Sequence, residues 1–271
     1  MSKVQVMGIL NLTPDSFFDG GKYNSVKNAL DHVEALINNG ADIIDIGGES
    51  TRPLARPVDL NEEINRVIPV LTEVRKTFPK IKLSLDTTKS ELMEIAINEG
   101  VDIINDISGL MWDENAVRVV SKADIPVIIM HSPWKPLEMQ NTFFYPNGVV
   151  SGIISFFNKR IIELTKQNIK RENIIIDPGI GFGKSIEDNF EIISKLDYLK
   201  IFNLPILLGA SNKSYIFNTI NSKDIKKRIE GNAITEFLAI KNGVNILRVH
   251  DVASTVRTIE LSKNFFKNPS L

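Results

Sequence analysis

A short junction that occurs three times constrains the fold of this chain more than any other feature. It reads Asn39-Gly40-Ala41-Asp42-Ile43-Ile44, and related six-residue segments begin at Glu99 and Asn242. In each copy, a glycine that can end a helix is followed at once by an apolar run typical of a buried strand. The distance along the chain from Gly40 to Gly100 fits two strand–helix units. The junction therefore predicts a chain in which helices and strands alternate.

Eight apolar runs fit this alternation, and the segments between them carry apolar residues at helical spacing. The predicted strands are residues 4–10, 42–46, 81–85, 102–104, 126–131, 174–176, 205–211 and 245–250. The first helix is predicted to begin at Ser25, another lies near 187–199, and a single helix ending at Gly243 is predicted between the last two strands. We therefore expect a single-domain (β/α)8 TIM barrel over residues 1–271, with a doubly wound open sheet as the alternative.

Composition excludes several classes of function. The chain has no cysteine, which rules out disulfides, thiolate zinc sites and a cysteine nucleophile, and its three histidines disfavour a histidine-rich metal site. The net charge of −1 gives no electrostatic case for nucleic acid or an anionic membrane. No apolar run approaches the roughly 20 residues that span a bilayer, and the first residues lack a signal-peptide core. We expect a cytoplasmic protein.

Polar side chains follow every predicted strand, at the end where barrels and open sheets place their ligands. These residues are Asn11, Glu49, Asp86, Asn105, Asp106, His131, Asp177, Ser211, Lys213, Arg248 and His250. Taken singly, most have a structural alternative: Asp86 could cap the next helix, and Asn105-Asp106 or Asp177 could form turns. An arginine late in an apolar strand needs a partner or a ligand, so Arg248 is harder to explain by structure alone.

The glycine-rich stretch from Asp177 to Lys184 does not match a nucleotide loop. A phosphate loop ending at Gly183-Lys184-Ser185 would need glycine where Pro178 stands, and a dinucleotide fingerprint starting at Gly179 would need glycine at Lys184. The glycines would still allow the backbone to approach a ligand closely.

The polar residues fall into two chemical groups. Asp86, Asn105 and Asp177 suit a heterocycle with several N–H donors. A phosphate-type anion suits Asn11, Thr51, Arg52, Arg248 and His250. Because neither a cysteine nor a G-x-S-x-G elbow is present, no activated nucleophile is apparent. The predicted chemistry is positioning and charge stabilisation of a phosphorylated substrate.

Seven motifs, in order along nearly the whole chain, resemble the signatures of the dihydropteroate synthase family. They are residues 11–21, residues 45–53, Asp86-Thr87-x-Lys89, residues 105–109, Met130-His131, residues 177–184 and residues 248–251. The resemblance implies a (β/α)8 barrel and a transferase of folate biosynthesis. The implied reaction joins 6-hydroxymethyl-7,8-dihydropterin pyrophosphate to 4-aminobenzoate, giving 7,8-dihydropteroate and pyrophosphate.

The resemblance also implies roles for individual residues. Asp86, Asn105 and Asp177 would bind the pterin donors, Met130 and Phe182 would pack nearby, and Lys213 would contact the pterin carbonyl side. Catalytic roles would fall to Asp86, Asp177 and Lys213. Asn11 would ligate Mg²⁺ with the pyrophosphate, whose oxygens would also meet Thr51, Arg52, Arg248 and His250. Phe17, Pro53 and Ser211 would shape the 4-aminobenzoate site. The family is also homodimeric and is the target of sulfonamides. The residues of this chain leave its sensitivity to sulfonamides open.

Three departures from the family pattern leave alternatives open. Leu54 follows Pro53 where the family usually has glycine, Asn212 replaces an arginine before Lys213, and the segment after His131 lacks the usual glycine-threonine-proline. One alternative is a degenerate homologue that binds pterin without turnover. The other is a barrel acting on a methylated folate, as in corrinoid-dependent methyltransferases, which would not need the first two loop signatures or the pair Arg248 and His250. Lys184 has a clear place in its motif, but the motif does not show which group this lysine contacts.

Overall fold

Alternating strands and helices build the chain, as the recurring junction predicts. The computed structural model describes residues 3–13, 22–49, 57–132, 144–209, 211, 213–220 and 225–266. The strands are β1 (Gln5–Asn11), β2 (Ile43–Gly47), β3 (Lys82–Asp86), β4 (Ile103–Asp106), β5 (Val127–Met130), β6 (Ile174–Asp177), β7 (Leu207–Leu208) and β8 (Ile246–Val249).

Helices follow the strands and cover the outside of the sheet. They are α1 (Lys22–Asn38), α2 (Leu60–Thr77), α3 (Ser90–Asn98), α4 (Ala116–Ala123), α5 (Val149–Lys166), α6 (Ile186–Ser194), α7 (Ser214–Ile220), α8 (Ile225–Lys241) and α9 (Val252–Phe266). Two short 3₁₀ helices, Arg171–Asn173 and Leu196–Phe202, precede β6 and β7. Within the described ranges, no helix is both long enough and apolar enough to cross a membrane.

The recurring junction ends a helix and sets the next strand in register. Gly40 has a φ of +101°, and the N–H groups of Gly40 and Ala41 donate to Ile37 and Leu36, which closes the last turn of α1. The next residue then joins the preceding strand: Asp42 N–H donates to Val6 at 2.8 Å, and the Asp42 carboxylate accepts from the Val6 N–H at 3.0 Å. The copies around Gly100 and Gly243 make the same bonds, through Asp102 to Leu83 and through Asn245 to Ile206. The polar residue after the glycine is thus a strand-pairing device.

The eight strands form one nearly closed parallel barrel. Their order in the sheet is β6-β5-β4-β3-β2-β1-β8-β7, so consecutive strands are neighbours throughout. A parallel bridge between Ile176 and Ile206 joins β6 to β7, with the Ile176 N–H donating to Pro205 at 3.0 Å. The (β/α)8 barrel is therefore confirmed and the doubly wound open sheet is wrong. The extent of the domain over residues 1–271 stays a prediction.

Some predicted element bounds differ from those observed. The seventh strand is two residues long rather than seven; Pro205, which has no N–H for the ladder, lies just before it, and Ala210 lies outside the described residues. Helix α1 begins at Lys22, before the expected Ser25. Two helices, α7 and α8, lie between β7 and β8, where one was predicted.

Alternate strand residues face the inside and the outside of the barrel. The inward layer at the amino ends of the strands contains Met7, Ile43, Ile103, Ile128, Ile175, Leu207 and Ile246. Residues one position further along, such as Ile44, Ile104 and Leu247, pack outward against the helices in the larger core. Truncating one of these buried side chains to alanine would lower the free energy of unfolding by about 2–5 kcal/mol. We call this apolar layer the floor of the barrel; the polar residues lie beyond it, toward the carboxyl ends of the strands.

Candidate active site

The alternation along the strands decides which polar residues face the barrel interior. Because side chains on one face recur every two residues, the residue two positions after each floor residue points inward as well. These positions hold Asp45 after Ile43, Asn105 after Ile103, Met130 after Ile128, Asp177 after Ile175, and Arg248 after Ile246. Asp86 joins them from β3, where the outward residues are Leu83 and Leu85. The polar residues predicted from strand ends therefore converge at one end of the barrel.

Arg248 is the centre of this polar end. Its Nε donates to Asp45 Oδ2 at 2.6 Å, and its Nη2 donates to Asp86 Oδ2 at 2.6 Å. Asn105 Nδ2 also donates to Asp45 Oδ2, at 3.1 Å. Strands β2 and β8 are not neighbours, since β1 lies between them, so the bond from Arg248 to Asp45 crosses the barrel interior. One guanidinium thus holds two carboxylates from different strands.

Burial has the largest effect on the pKa of Asp86, which lies beside Asp45 in this cluster. Asp45 is fully buried, and its Oδ1 finds no donor among the described residues. Burial raises the pKa of Asp86 to about 7; the Arg248 charge opposes that rise, and the neighbouring Asp45 charge adds to it. A buried carboxyl with a pKa near 7 has few water molecules to bond. It is therefore suited to accept hydrogen bonds from a ligand bound at the mouth of the barrel.

A second wall of the site is built by Asp177, Phe182 and Lys213. Burial raises the pKa of Asp177, while the N–H of Gly179, donating to its Oδ1 at 2.8 Å, lowers it. Lys213 Nζ lies 4.3 Å from the centre of the Phe182 ring, and Phe182 packs against Met130. Burial lowers the pKa of Lys213 to about 8; the Arg248 charge adds to this and Asp177 opposes it. An apolar wall with one cation at its edge fits a flat, hydrogen-bonding ring.

The ends of β7 and β8 meet through Ser211 and His250. His250 Nδ1 lies 3.3 Å from Ser211 Oγ, which brings these two predicted site residues together. The other predicted members of this region, Phe17, Thr51, Arg52 and Pro53, lie outside the described residues, as do Leu54 and Asn212.

Asn11 ends β1 on the same rim, opposite Gly47 of β2, and is partly exposed. Among the residues described, no group of three or more histidine or carboxylate side chains could hold a metal ion. Mg²⁺ commonly takes only one or two protein ligands beside substrate phosphates and water. One amide oxygen on an open rim therefore fits a Mg²⁺ ion that arrives with a pyrophosphate.

The structure separates site roles from structural roles for Asp86, Asn105 and Asp106, while Asp177 combines both, since its Oδ1 accepts from the Gly179 N–H in the turn that follows. Asp86 does not cap the following helix: Lys89 stands at the N-cap of α3 without a side-chain bond, and the Ser90 N–H donates to Asp113 at 2.7 Å. Asp106 does form a turn, since its carboxylate accepts from the Ser108 N–H at 2.6 Å. Asn105 and Asp106 differ because successive strand residues point to opposite faces.

Three functional features escaped the sequence reasoning. Asp45 has the signal that marked Arg248, a charge inside an apolar strand, and applying that argument to β2 would have found it. Lys89 bridges Glu49, at 2.5 Å, and the fully buried Glu63 of α2, which ties the end of β2 to a helix. No sequence pattern points to that bridge. Lys184 is buried and donates to two backbone carbonyls, which its motif does not reveal.

Comparison with known proteins agrees with this geometry. The family model described as "Pterin binding enzyme" matches residues 7–250. A dihydropteroate synthase from Haemophilus influenzae is 44% identical over 255 residues, which cover 94% of this chain and 91% of that protein. The chain belongs to the dihydropteroate synthase family.

Solved structures of the family share the fold. A Yersinia pestis dihydropteroate synthase in complex with a sulfonamide drug has a TM-score of 0.91 and 37% identity, covering 98% of this chain and 96% of that one. A Xanthomonas albilineans dihydropteroate synthase in complex with 7,8-dihydropteroate has a TM-score of 0.88 and 35% identity, covering 99% and 95%. The family expected from the seven motifs is thereby confirmed.

Proposed function

We propose that the protein is a transferase that joins 6-hydroxymethyl-7,8-dihydropterin pyrophosphate to 4-aminobenzoate, forming 7,8-dihydropteroate and pyrophosphate. The observation that carries the proposal is the convergence of Asp86, Asn105 and Asp177 around Arg248 in a protein of this family. Buried acceptors need donors, and the edge of a pterin supplies several N–H groups in one plane.

The pterin would lie between the two walls of the site. Asp86, Asn105 and Asp177 would accept from or donate to its polar edge, while Met130 and Phe182 pack against its ring. Lys213, held over the Phe182 ring, would donate to the carbonyl side of the pterin. Asp45 would not touch the substrate; it would keep Arg248 and Asn105 in place by the two bonds that it accepts.

The chemistry requires separation of charge. The carbon–oxygen bond of the pterin methyl group would break with its electron pair leaving on the pyrophosphate, so that a pterin-methyl cation forms near Asp86 and Asp177. The amine of 4-aminobenzoate would then add its lone pair to that carbon and lose a proton. Preorganised carboxylates stabilise the developing positive charge without reorganisation at the moment of reaction.

The leaving group would be held on the rim of the barrel. Asn11 would ligate Mg²⁺, and Thr51, Arg52, Arg248 and His250 would meet the pyrophosphate oxygens. When bound, the Mg²⁺ ion would neutralise charge on the leaving pyrophosphate. Arg248 already donates to two carboxylates through Nε and Nη2, so its Nη1 would face the anion. Phe17, Pro53 and Ser211 would shape the 4-aminobenzoate site, where a sulfonamide would compete.

A homodimer is part of this proposal. Two exposed apolar pairs on the adjacent helices α8 and α9 support it: Ile234 with Leu238, and Leu261 with Phe265. Exposed apolar groups on neighbouring helices are typical of an interface. Leu261→Glu with Phe265→Glu should give a monomer by analytical ultracentrifugation, and an unchanged mass would count against this face. We also keep the cytoplasmic location expected from the sequence.

The test is incubation with the pterin pyrophosphate, 4-aminobenzoate and Mg²⁺, following dihydropteroate and pyrophosphate together. We expect both products in equal amounts, and none from Asp177→Ala, which leaves the buried donors of the pterin unpaired. Pterin binding without product would favour the degenerate homologue. Methyl transfer from a methylated folate to a corrinoid protein, in place of condensation, would favour the methyltransferase.

A further inference from the structure

We propose that Lys184 is a positioning residue for pterin binding, whose buried ammonium fastens the loop after β6 to the end of β5. This inference rests on the proposed function, because the loop carries Phe182 and follows Asp177. Lys184 would act without touching the substrate, through the backbone of its neighbours.

The contacts of Lys184 link two strand ends. Its Nζ donates to the carbonyl oxygen of Phe182 at 2.8 Å and to that of His131 at 3.2 Å. His131 directly follows Met130 of β5, and its own N–H donates to the Asp177 carbonyl at 2.9 Å. The β5 end is therefore bonded both to the start of the loop, at Asp177, and to its far end, through Lys184.

The loop between these two bonds is tightly fitted. Gly179 has a φ of +69°, and a Cβ there would lie 2.2 Å from the His131 carbonyl oxygen. The Gly179 carbonyl oxygen accepts from the Phe182 N–H at 3.2 Å. The Asn189 side chain of α6 accepts from the Gly181 N–H at 2.7 Å. The His131 carbonyl thus lies against the loop backbone at Gly179 and also accepts from Lys184. A shift of Lys184 would therefore move the His131 carbonyl and the loop backbone beside it.

The side chains that the loop presents to the site depend on this arrangement. Phe182 is 7% exposed and packs on Met130, and its ring lies under Lys213. Gly181 leaves room for the Lys213 stem, since a Cβ there would lie 3.2 Å from its Cδ. Loss of the Lys184 bond to Phe182 would therefore loosen the ring and the cation above it.

A purely structural lysine would be a poor choice at this position. Burying an ammonium without a close carboxylate partner is costly, and apolar side chains of similar volume often stabilise such sites. Burial lowers the pKa of Lys184 to about 7, with Asp177 opposing and Lys213 adding to the shift. A lysine at a position that is 9% exposed, where an apolar side chain would avoid this cost, indicates a contribution to function at the expense of stability.

The experiment compares Lys184→Met with the unaltered protein in two measurements. Affinity for the free pterin alcohol, 6-hydroxymethyl-7,8-dihydropterin, is measured by calorimetry, and stability by urea unfolding. We expect affinity to fall about 10-fold, as for loss of a charge-assisted hydrogen bond, while stability is unchanged or raised. The KM for 4-aminobenzoate should change less than the pterin affinity, because the residues proposed for that site, Phe17, Pro53 and Ser211, do not belong to the loop. Lys195→Met is the matched control: Lys195 follows α6, is exposed, and pairs only with Glu191 among the described residues.

A double-mutant cycle with Phe182→Ala tests the route of the effect. If Lys184 acts through Phe182, the double variant binds pterin no more weakly than Phe182→Ala alone. Additive losses, or a pterin affinity of Lys184→Met equal to that of Lys195→Met, would overturn the proposal. If Lys184→Met does not fold, the lysine is structural and the proposal is likewise overturned. Because the readout is pterin binding, failure of the unaltered protein to form dihydropteroate would refute the proposed function separately.

Discussion

Replacing Arg248 with methionine tests whether Arg248 is the counterion of a buried carboxylate pair. In the folded protein its guanidinium donates to Asp45 and Asp86, each at 2.6 Å, and Asp45 is fully buried. Methionine preserves much of the side-chain volume and removes the charge. The carboxylates of Asp45 and Asp86, on the adjacent strands β2 and β3, would then lie near each other without a cation between them.

The expected loss of stability is large. Removing one partner of a buried ion pair typically costs about 3–5 kcal/mol, because the remaining charge is left uncompensated. That is a substantial part of the roughly 5–15 kcal/mol that stabilises an ordinary domain. We expect the free energy of unfolding of Arg248→Met to fall by about 3–5 kcal/mol at pH 8.

The loss should depend on pH in a definite direction. The pKa of Asp86 is already raised by burial to about 7, from 3.8, and without Arg248 it rises further. A carboxyl with a raised folded pKa is protonated in the folded state at pH values where the unfolded chain is ionised, so stability falls as pH rises through that interval. The deficit of Arg248→Met should therefore be smaller at pH 5 than at pH 8.

The assay is urea unfolding at pH 5, 6, 7 and 8, followed by circular dichroism. Lys3→Met is the control, since Lys3 pairs with Asp42 at 2.6 Å but is 76% exposed, and such pairs contribute about 0–1 kcal/mol. Adding Asp45→Asn to Arg248→Met should recover part of the lost stability. A deficit below about 1 kcal/mol at pH 8, or one equal at pH 5 and pH 8, would refute the reasoning.

Three further outcomes follow from the structure. First, Gly179→Ala should lower the free energy of unfolding by more than about 3 kcal/mol, because backbone strain adds to the clash with His131. Gly148→Ala should cost about 1–3 kcal/mol from backbone strain alone, since its φ of +82° and ψ of 151° favour glycine but its nearest neighbour is 4.0 Å away. Equal losses in denaturant titrations would contradict this. Second, kcat/KM should rise through about pH 7 as Asp86 ionises and fall through about pH 8 as Lys213 loses its proton, so a flat profile from pH 6 to 9 would be the opposing result. Third, chelation of Mg²⁺ should abolish turnover and leave affinity for the free pterin alcohol unchanged in calorimetry, since the proposed ion would contact Asn11 and the pyrophosphate rather than the pterin ring. Equal loss of both would argue against Asn11 as a leaving-group ligand.

Much of the barrel could be read from local sequence. Helix ends at Gly40, Gly100 and Gly243 are specified by a residue that tolerates positive φ, and the structure has all three. The polar residue two positions after each glycine pairs with the preceding strand, so the same few residues also encode strand register. The bounds of β7 were less readable, because strand length there depends on partners from β6 and β8 as well as on Pro205.

The candidate site was only partly readable. Strand ends showed that Asp86, Asn105, Asp177 and Arg248 would gather at one rim, because parallel strands share the direction in which they end. The alternation of side chains along β4 also separates Asn105, which faces the interior, from Asp106. The roles of Lys89 and Lys184 could not be predicted, because each depends on oxygens from other parts of the chain: Glu49 and Glu63 for Lys89, and the His131 carbonyl for Lys184.

The sequence by itself determined the alternation of strands and helices, the positions of the junction glycines, and the set of polar residues at the strand ends. Those features depend on neighbours a few residues apart, for which local backbone chemistry suffices. Only the tertiary structure decided that Arg248 pairs with Asp45, 203 residues away in sequence, and with Asp86 rather than with an anion alone. Contacts of that kind arise when the barrel nearly closes and brings non-neighbouring strands face to face across its interior. The physical reason is that closure and inward orientation are properties of the whole sheet, not of any one strand.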